Sequence, residues 1–141
     1  MYKHILLPVD LEAAASSAQA VEAAVAQAQT SGATLHVMTV VPDFGMSVVG
    51  SFFPDDFAEK ALAETAKQLD AYVAANVPAG VSVQQIVAHG RIYDEIIKTA
   101  NSSGADLIVI SAHRPDVSNY LLGSNAARVA RHAKQSVLII R

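Results

Sequence analysis

The stretch "HILLPVDLEAAASSAQAVEAAVAQAQTSGATLHVMTVV" (residues 4–41) holds two apolar runs with a helical period between them. The runs "HILLPV" (4–9) and "TLHVMTVV" (34–41) are near-continuous, which is typical of strands covered on both faces. Between the two runs, apolar side chains recur at helical spacing and form one stripe: Ala14, Ala18, Val21, Val25 and Ala28. The stretch therefore predicts two parallel strands joined by a right-handed helical crossover.

The same alternation continues to the end of the chain. The runs "DLIVIS" (106–111) and "SVLIIR" (136–141) predict two more buried strands, whereas "VSVQQIVAHG" (81–90) alternates less cleanly. Its Gln84 and Gln85 indicate a strand at the edge of the sheet, where one side can be exposed to solvent. Three further helices are predicted from apolar stripes at Leu62, Ala66, Leu69 and Val73, at Ile92, Ile96 and Ala100, and at Ala126, Val129, Ala130 and Ala133.

This alternation predicts the α/β class and a single domain over residues 1–141. We expect a doubly wound, Rossmann-like sheet of five parallel strands in the order 3-2-1-4-5, with helices on both faces. Sheets of this kind bind ligands outside the carboxyl ends of the strands, at the switch point between strands 1 and 4. Asp10 and the loop "SAHRPDVSNYLLGSN" (111–125) should face each other there, and the long connection 42–56 should overhang the same edge.

Composition excludes several classes of protein. With a net charge of −3 and a pI near 5.9, the chain has no overall positive charge that would attract nucleic acid or an anionic membrane. The absence of cysteine excludes disulfides, thiolate zinc sites and thiol nucleophiles. No apolar run approaches the length of a membrane span. We therefore expect a cytoplasmic protein that has neither nucleic acid nor membrane as a partner.

The loop 111–125 raises the possibility of a phosphate site. Gly123-Ser124-Asn125 should begin the fourth helix, with Ser124 or Asn125 as its N-cap. The free N–H groups of a first helical turn can bind an anion, although ordinary capping explains the same residues. Neither a Walker loop nor a G-x-G-x-x-G motif is present.

Few side chains in the sequence are placed for chemistry. Asp10 could accept hydrogen bonds from an adenine amino group or a ribose hydroxyl, or it could cap the first helix. His113, beside Arg114, could hydrogen-bond a ligand, but no nucleophile is paired with it and no catalytic residue is predicted. His4 and His36 are interpreted as packing residues of their strands. No histidine pair has metal-ligand spacing, so no metal site is predicted, and Arg128 and Arg131 are interpreted as a solvated helix face.

The residues "HILLPVD", "HVMTVVP", "HGRIYDEIIKTA" and "GADLIVISAHRPDVSNYLLGSNAARVARHAKQSVLIIR" resemble the universal stress protein family, and together they span nearly the whole chain. The resemblance implies a fold similar to the adenine nucleotide alpha hydrolases. ATP-binding members of the family carry G-x-x-G, nine residues, and then G-[ST]. Here Ser111 and Arg114 stand at the two glycine positions. Eight residues (115–122), not nine, separate Arg114 from Gly123-Ser124. The "HRPD...YLLGSNA" pattern is similar to an enterobacterial subgroup with the same departures.

The resemblance implies an ATP site, with or without Mg²⁺. Its adenine and ribose side would be lined by Pro8, Val9 and Asp10, with Val40 bonding adenine through its backbone. Ile110, Ser111 and His113 would line the ribose. The phosphates would lie on Arg114, Gly123, Ser124 and Asn125.

Three functions follow from these observations. The first is an ATP-binding stress or regulatory protein that hydrolyses ATP slowly or not at all and is therefore not an enzyme. The second is a scaffold dimer that binds no nucleotide, consistent with the missing glycines. The third is a nucleotide-using enzyme of similar fold, whose usual S-G-G-x-D-S and H-I-G-H signatures are absent.

The last strand predicts self-association. In the expected order it is a free edge, and residues 137–140, between Ser136 and Arg141, are all apolar. Val137 and Ile139 should face one side of the sheet, and Leu138 and Ile140 the other. We expect a homodimer through these residues, or a tetramer assembled from such dimers, and the family resemblance implies the same.

Overall fold

The computed structural model describes residues 1–42, 57–112 and 123–141. Its strands are β1 (His4–Pro8), β2 (Thr34–Pro42), β3 (Val83–Gly90), β4 (Leu107–Ser111) and β5 (Ser136–Ile140). Its helices are α1 (Ala18–Ser31), α2 (Phe57–Asn76), α3 (Ile92–Ser102) and α4 (Gly123–His132), and a 3-10 helix (Leu11–Ser17) precedes α1.

The strands form one parallel sheet in the order β3-β2-β1-β4-β5. This confirms the predicted α/β fold, the strand order and the edge position of β3, where Gln84 and Gln85 are exposed. The carboxyl ends of β1 and β4 therefore flank the switch point, as expected.

Alternate residues of the central strands belong to two hydrophobic cores, one on each face of the sheet. Ile5, Leu7 and Val109 pack on the face that carries α1 and α2. Leu6 and Ile108 pack on the other face, beneath α3 and α4. Because the central strands are covered on both sides, their near-continuous apolar sequences are explained by burial.

The first helix differs from the prediction. Residues 11–17 form the 3-10 helix, in which Ala13 has non-helical dihedral angles (φ −129°, ψ 56°), and α1 begins only at Ala18. Ala14 and Ala18 are consequently exposed, and the buried stripe of α1 is Ala20, Val21, Ala24 and Ala28. Alanine is small and frequent on every side of this helix, so its spacing could not identify the buried side. The predicted stripes of α2 and α4 fail in the same way at Ala66 and Ala130, which are exposed.

His4 and His36 form a pair at the amino-terminal half of the sheet, which confirms their interpretation as packing residues. His36 is 4% exposed, and its Nε2 lies 3.1 Å from Nδ1 of His4. Within the described residues, Nδ1 of His36 is buried without a hydrogen-bond partner. Burial, and secondarily the charge of His4, hold the pKa of His36 below its usual range.

This histidine makes stability depend on pH. The unfolded chain binds a proton at His36 near pH 6.5, while the folded chain resists it, so protonation favours unfolding. We expect the free energy of unfolding to fall as the pH is lowered below about 6.5, and to fall less in His36→Gln. Urea unfolding at pH 7 and pH 5 measures both slopes. Equal slopes for the parent and His36→Gln would contradict the prediction.

None of the helices within the described ranges is both long and apolar enough to cross a membrane.

Candidate functional site

The carboxyl edge of the sheet brings together the backbone positions predicted to line a nucleotide. Pro8 and Val9 are buried at the end of β1, and the Val9 N–H donates to the Met38 carbonyl oxygen at 2.8 Å. Ile110 is fully buried near the end of β4, and Val40, near the end of β2, is half-buried. These residues form a floor at the carboxyl edge of the sheet, beside the switch point between β1 and β4.

Asp10 follows directly after this floor and is only 5% exposed. Its Oδ1 accepts the backbone N–H of Glu12 at 3.1 Å, so the carboxylate caps the 3-10 helix. The expected capping role is thus present, although on the 3-10 helix and not on α1. Burial raises the pKa of Asp10, while hydrogen bonds from the Glu12 and Ala13 backbone act in the opposite direction.

Ser111 ties the two sides of the crevice together. Its hydroxyl donates to the carbonyl oxygen of Ser16 at 2.7 Å, which joins the end of β4 to the 3-10 helix that follows β1. The hydroxyl oxygen of Ser17 accepts the Asp10 N–H at 3.4 Å, and Ser17 is fully buried. The segment that carries Asp10 is therefore anchored to both flanking strands.

The roles of Ser16 and Ser17 were missed from the sequence. Both residues follow the strand in "DLEAAASS", where they were treated as part of the first helix. Their positions six and seven residues after a strand-ending aspartate are a weak signal, because only the tertiary fold shows that β4 supplies the partner of Ser16.

The start of α4 is the second element predicted to form the site. The helix begins at Gly123, so Ser124 and Asn125 lie in its first turn, and the prediction that one of them is the N-cap is wrong. The N-terminus of a helix is the end that favours anions. Asn125 is half-buried. His113 and Arg114, together with residues 43–56 of the predicted overhanging loop, lie outside the described residues.

Within the part of the chain that the structure describes, no three histidine or carboxylate side chains form a group that could hold a metal ion. The described part of the site contains one buried carboxylate, Asp10, and the first turn of α4.

The model of the universal stress protein family matches residues 1–141. The chain belongs to the universal stress protein family. Universal stress protein G of Shigella flexneri is 35% identical over 143 residues, which cover 100% of each chain.

Solved structures of universal stress proteins have the same fold. UspA from Lactobacillus plantarum is 26% identical, with a TM-score of 0.71 over 99% of this chain and 98% of that one. A universal stress protein in complex with cAMP is 24% identical, with a TM-score of 0.64 over 99% of this chain and 97% of that one. The latter likeness shows the fold, and its bound cyclic nucleotide is a property of that protein.

Ser111 stands at a position where a glycine is expected if the chain follows the ATP-binding motif. No described non-glycine residue has a positive φ, so the backbone at Ser111 does not require glycine. Ser111 is 4% exposed and its hydroxyl reaches Ser16. The substitution is thus accommodated without backbone strain and gains a contact that glycine could not make.

Proposed function

We propose that this universal stress protein binds ATP, with or without Mg²⁺, at the carboxyl edge of its sheet and acts as a nucleotide-dependent regulator. The observation that carries the proposal is the buried carboxylate of Asp10 at the switch point. Burial of a carboxylate is costly unless partners stabilise its charge. A ribose hydroxyl or an adenine amino group would supply donors for the Asp10 oxygen that does not accept from Glu12.

The surroundings of Asp10 fit the remainder of the nucleotide. Pro8, Val9 and Val40 offer apolar contact and backbone groups for the base, and the start of α4 offers N–H groups for phosphates. Ile110 and Ser111 close the ribose side. A protein of the same fold holds cAMP, which shares the adenine and ribose groups that this site would bind. We assign the phosphates to Gly123, Ser124 and Asn125, with His113 and Arg114 completing the site.

The proposal is tested directly by identifying what the purified protein carries. We expect adenine nucleotide to be released on denaturation and detected by chromatography, and the emptied protein to bind ATP in a calorimetric titration. Absence of both released nucleotide and ATP binding at millimolar concentration would overturn the proposal and leave the scaffold dimer as the function.

We expect ATP turnover to be slow, well below the 1–100 per second typical of phosphoryl-transfer enzymes. Asp10 already accepts the Glu12 N–H as the cap of the 3-10 helix. The described site contains no paired nucleophile and base that could align a water molecule. Release of inorganic phosphate from ATP, followed over hours, measures the rate. Turnover at ordinary enzyme rates that disappears in Asp10→Asn would show the protein to be an enzyme.

We also propose that the protein forms a homodimer through β5. Among the described residues this strand pairs with β4 alone, which leaves its other edge without a strand partner there. Leu138 and Ile139 are each 36% exposed, which is unusual for large apolar side chains and leaves an apolar edge to be covered. Val137 and Ile140 are half-buried against opposite cores, in agreement with the predicted alternation along the strand.

A further inference from the structure

A groove lies between α3 and α4, on the outer side of one helical layer. The described residues that line it are Tyr93 of α3 and Ala127, Arg128, Arg131 and His132 of α4, and we call it the α3–α4 groove. Its cavity volume is about 430 Å³, which lies in the range of small-molecule sites. None of its residues belongs to the nucleotide site proposed above.

The α3–α4 groove is cationic. Arg128, Arg131 and His132 are spaced so that all three reach the same side of α4, and among the described residues no carboxylate lines the cavity. The nearby carboxylates of α3 are engaged elsewhere: Asp94 pairs with Arg91 at 3.7 Å, and Glu95 with Lys98 at 3.5 Å. Within the described residues, neither Arg128 nor Arg131 has an ion-pair partner.

Tyr93 contacts both Arg128 and His132. The Arg128 guanidinium lies over the Tyr93 ring, with Cζ 5.7 Å from the ring centroid. The His132 ring is tilted against the same tyrosine, with centroids 5.8 Å apart. Stacking on a half-buried ring restricts the orientation of a guanidinium and leaves the edge that carries its N–H groups available for hydrogen bonds.

We propose that the α3–α4 groove binds a small molecule through a phosphate group. The guanidinium groups of Arg128 and Arg131 can each bind phosphate oxygens through paired N–H donors, and His132 adds a further donor. The concave shape favours a compact ligand over an extended acidic surface. The sequence interpretation of Arg128 and Arg131 as a solvated face is correct in that both are exposed, but it overlooked Tyr93 and the cavity.

The experiment is a titration of the full chain with inorganic phosphate at constant ionic strength, followed by backbone amide NMR. We expect saturable shifts confined to Tyr93 and residues 127–132. Arg128→Gln and Arg131→Gln should each weaken binding about tenfold. Tyr93→Leu should weaken it as well, whereas Tyr93→Phe should not, because the phenyl ring preserves the stacking.

Lys134→Gln is the matched control, since it removes an exposed cation just after α4 that does not line the groove. Lys134→Gln should bind phosphate like the parent. Shifts that grow linearly without saturation, or equal affinities in parent, Arg128→Gln and Arg131→Gln, would overturn the proposal. Asp10→Asn should retain phosphate binding in the groove, so failure of the ATP proposal and failure of this one are distinguishable.

Discussion

Replacing Asp10 by asparagine should weaken ATP binding by about 10- to 150-fold, the equivalent of the 1.5–3 kcal/mol of a hydrogen bond to a charged group. The asparagine side chain has one acceptor oxygen where aspartate has two. In the parent, one aspartate oxygen, Oδ1, already accepts the Glu12 N–H. If the Asn oxygen keeps the cap, its NH₂ group faces the donors of ribose or adenine. Calorimetric titration of both proteins with ATP measures the loss.

The same substitution should not lower the free energy of unfolding at pH 7. Burial raises the pKa of Asp10, so the folded chain holds this proton more tightly than the unfolded chain. The ionised group therefore costs stability above the folded pKa, and this cost disappears below the unfolded value near 3.9. Asparagine carries no charge and can still cap Glu12, so Asp10→Asn should be as stable as the parent or more stable.

Asp106→Asn is the control for this experiment. Asp106 is also a hydrogen-bonded carboxylate, but it lies at the amino-terminal edge of the sheet, where it accepts the backbone N–H groups of Lys3 at 2.9 Å and His4 at 3.2 Å. Asp106→Asn should lower stability and leave ATP affinity unchanged, which is the reverse of the Asp10 result. Equal ATP affinities in the parent and Asp10→Asn would show that Asp10 is only a cap.

The sheet was predictable because its strands are chemically distinct. Continuous apolar runs mark β1, β2 and β4 as covered on both faces, and Gln84 and Gln85 mark β3 as an edge. The switch point follows from that order alone. Asp10 could therefore be placed at the crevice before any side-chain geometry was known.

The details around the site were not predictable, because they depend on contacts between distant residues. The hydrogen bond from Ser111 to Ser16 spans 95 positions and has no local signal. The 3-10 helix arises where Asp10 caps a short turn, and the many alanines nearby fit either helix type. The α3–α4 groove likewise requires Tyr93 of one helix beside Arg128 of another.

A second large effect concerns the free edge of β5. The Ala112 N–H donates to the Ile140 carbonyl oxygen at 2.8 Å, so the backbone groups of Ile140 point toward β4. Successive residues of a strand direct their backbone groups to alternate sides, so those of Val137 and Ile139 point away from β4. The Ile139 N–H is therefore a donor of the free edge and has no role in the ladder with β4.

Ile139→Pro should consequently weaken the proposed dimer while leaving the β4–β5 ladder intact. Proline removes the N–H donor and places its ring at the edge that a second chain would approach. A two-fold interface loses the hydrogen bond twice, so about 1–3 kcal/mol is lost, and the dimer dissociation constant should rise about 5- to 150-fold before any steric clash is added. Light scattering over a dilution series measures the change in the dissociation constant.

The opposite edge of the sheet provides a matched control. The Leu35 N–H donates to the Ser82 carbonyl oxygen, so Ser82 and Gln84 direct their backbone groups to β2, and Gln85 directs its own to the other free edge. Gln85→Pro therefore makes the same chemical change on β3, and it should leave a dimer formed through β5 unaffected. If the parent is a monomer at micromolar concentration, no dimer exists to be explained. If the dimer survives Ile139→Pro but is lost in Gln85→Pro, the interface lies on β3. The exposure of Leu138 and Ile139 would then not be explained by a dimer interface.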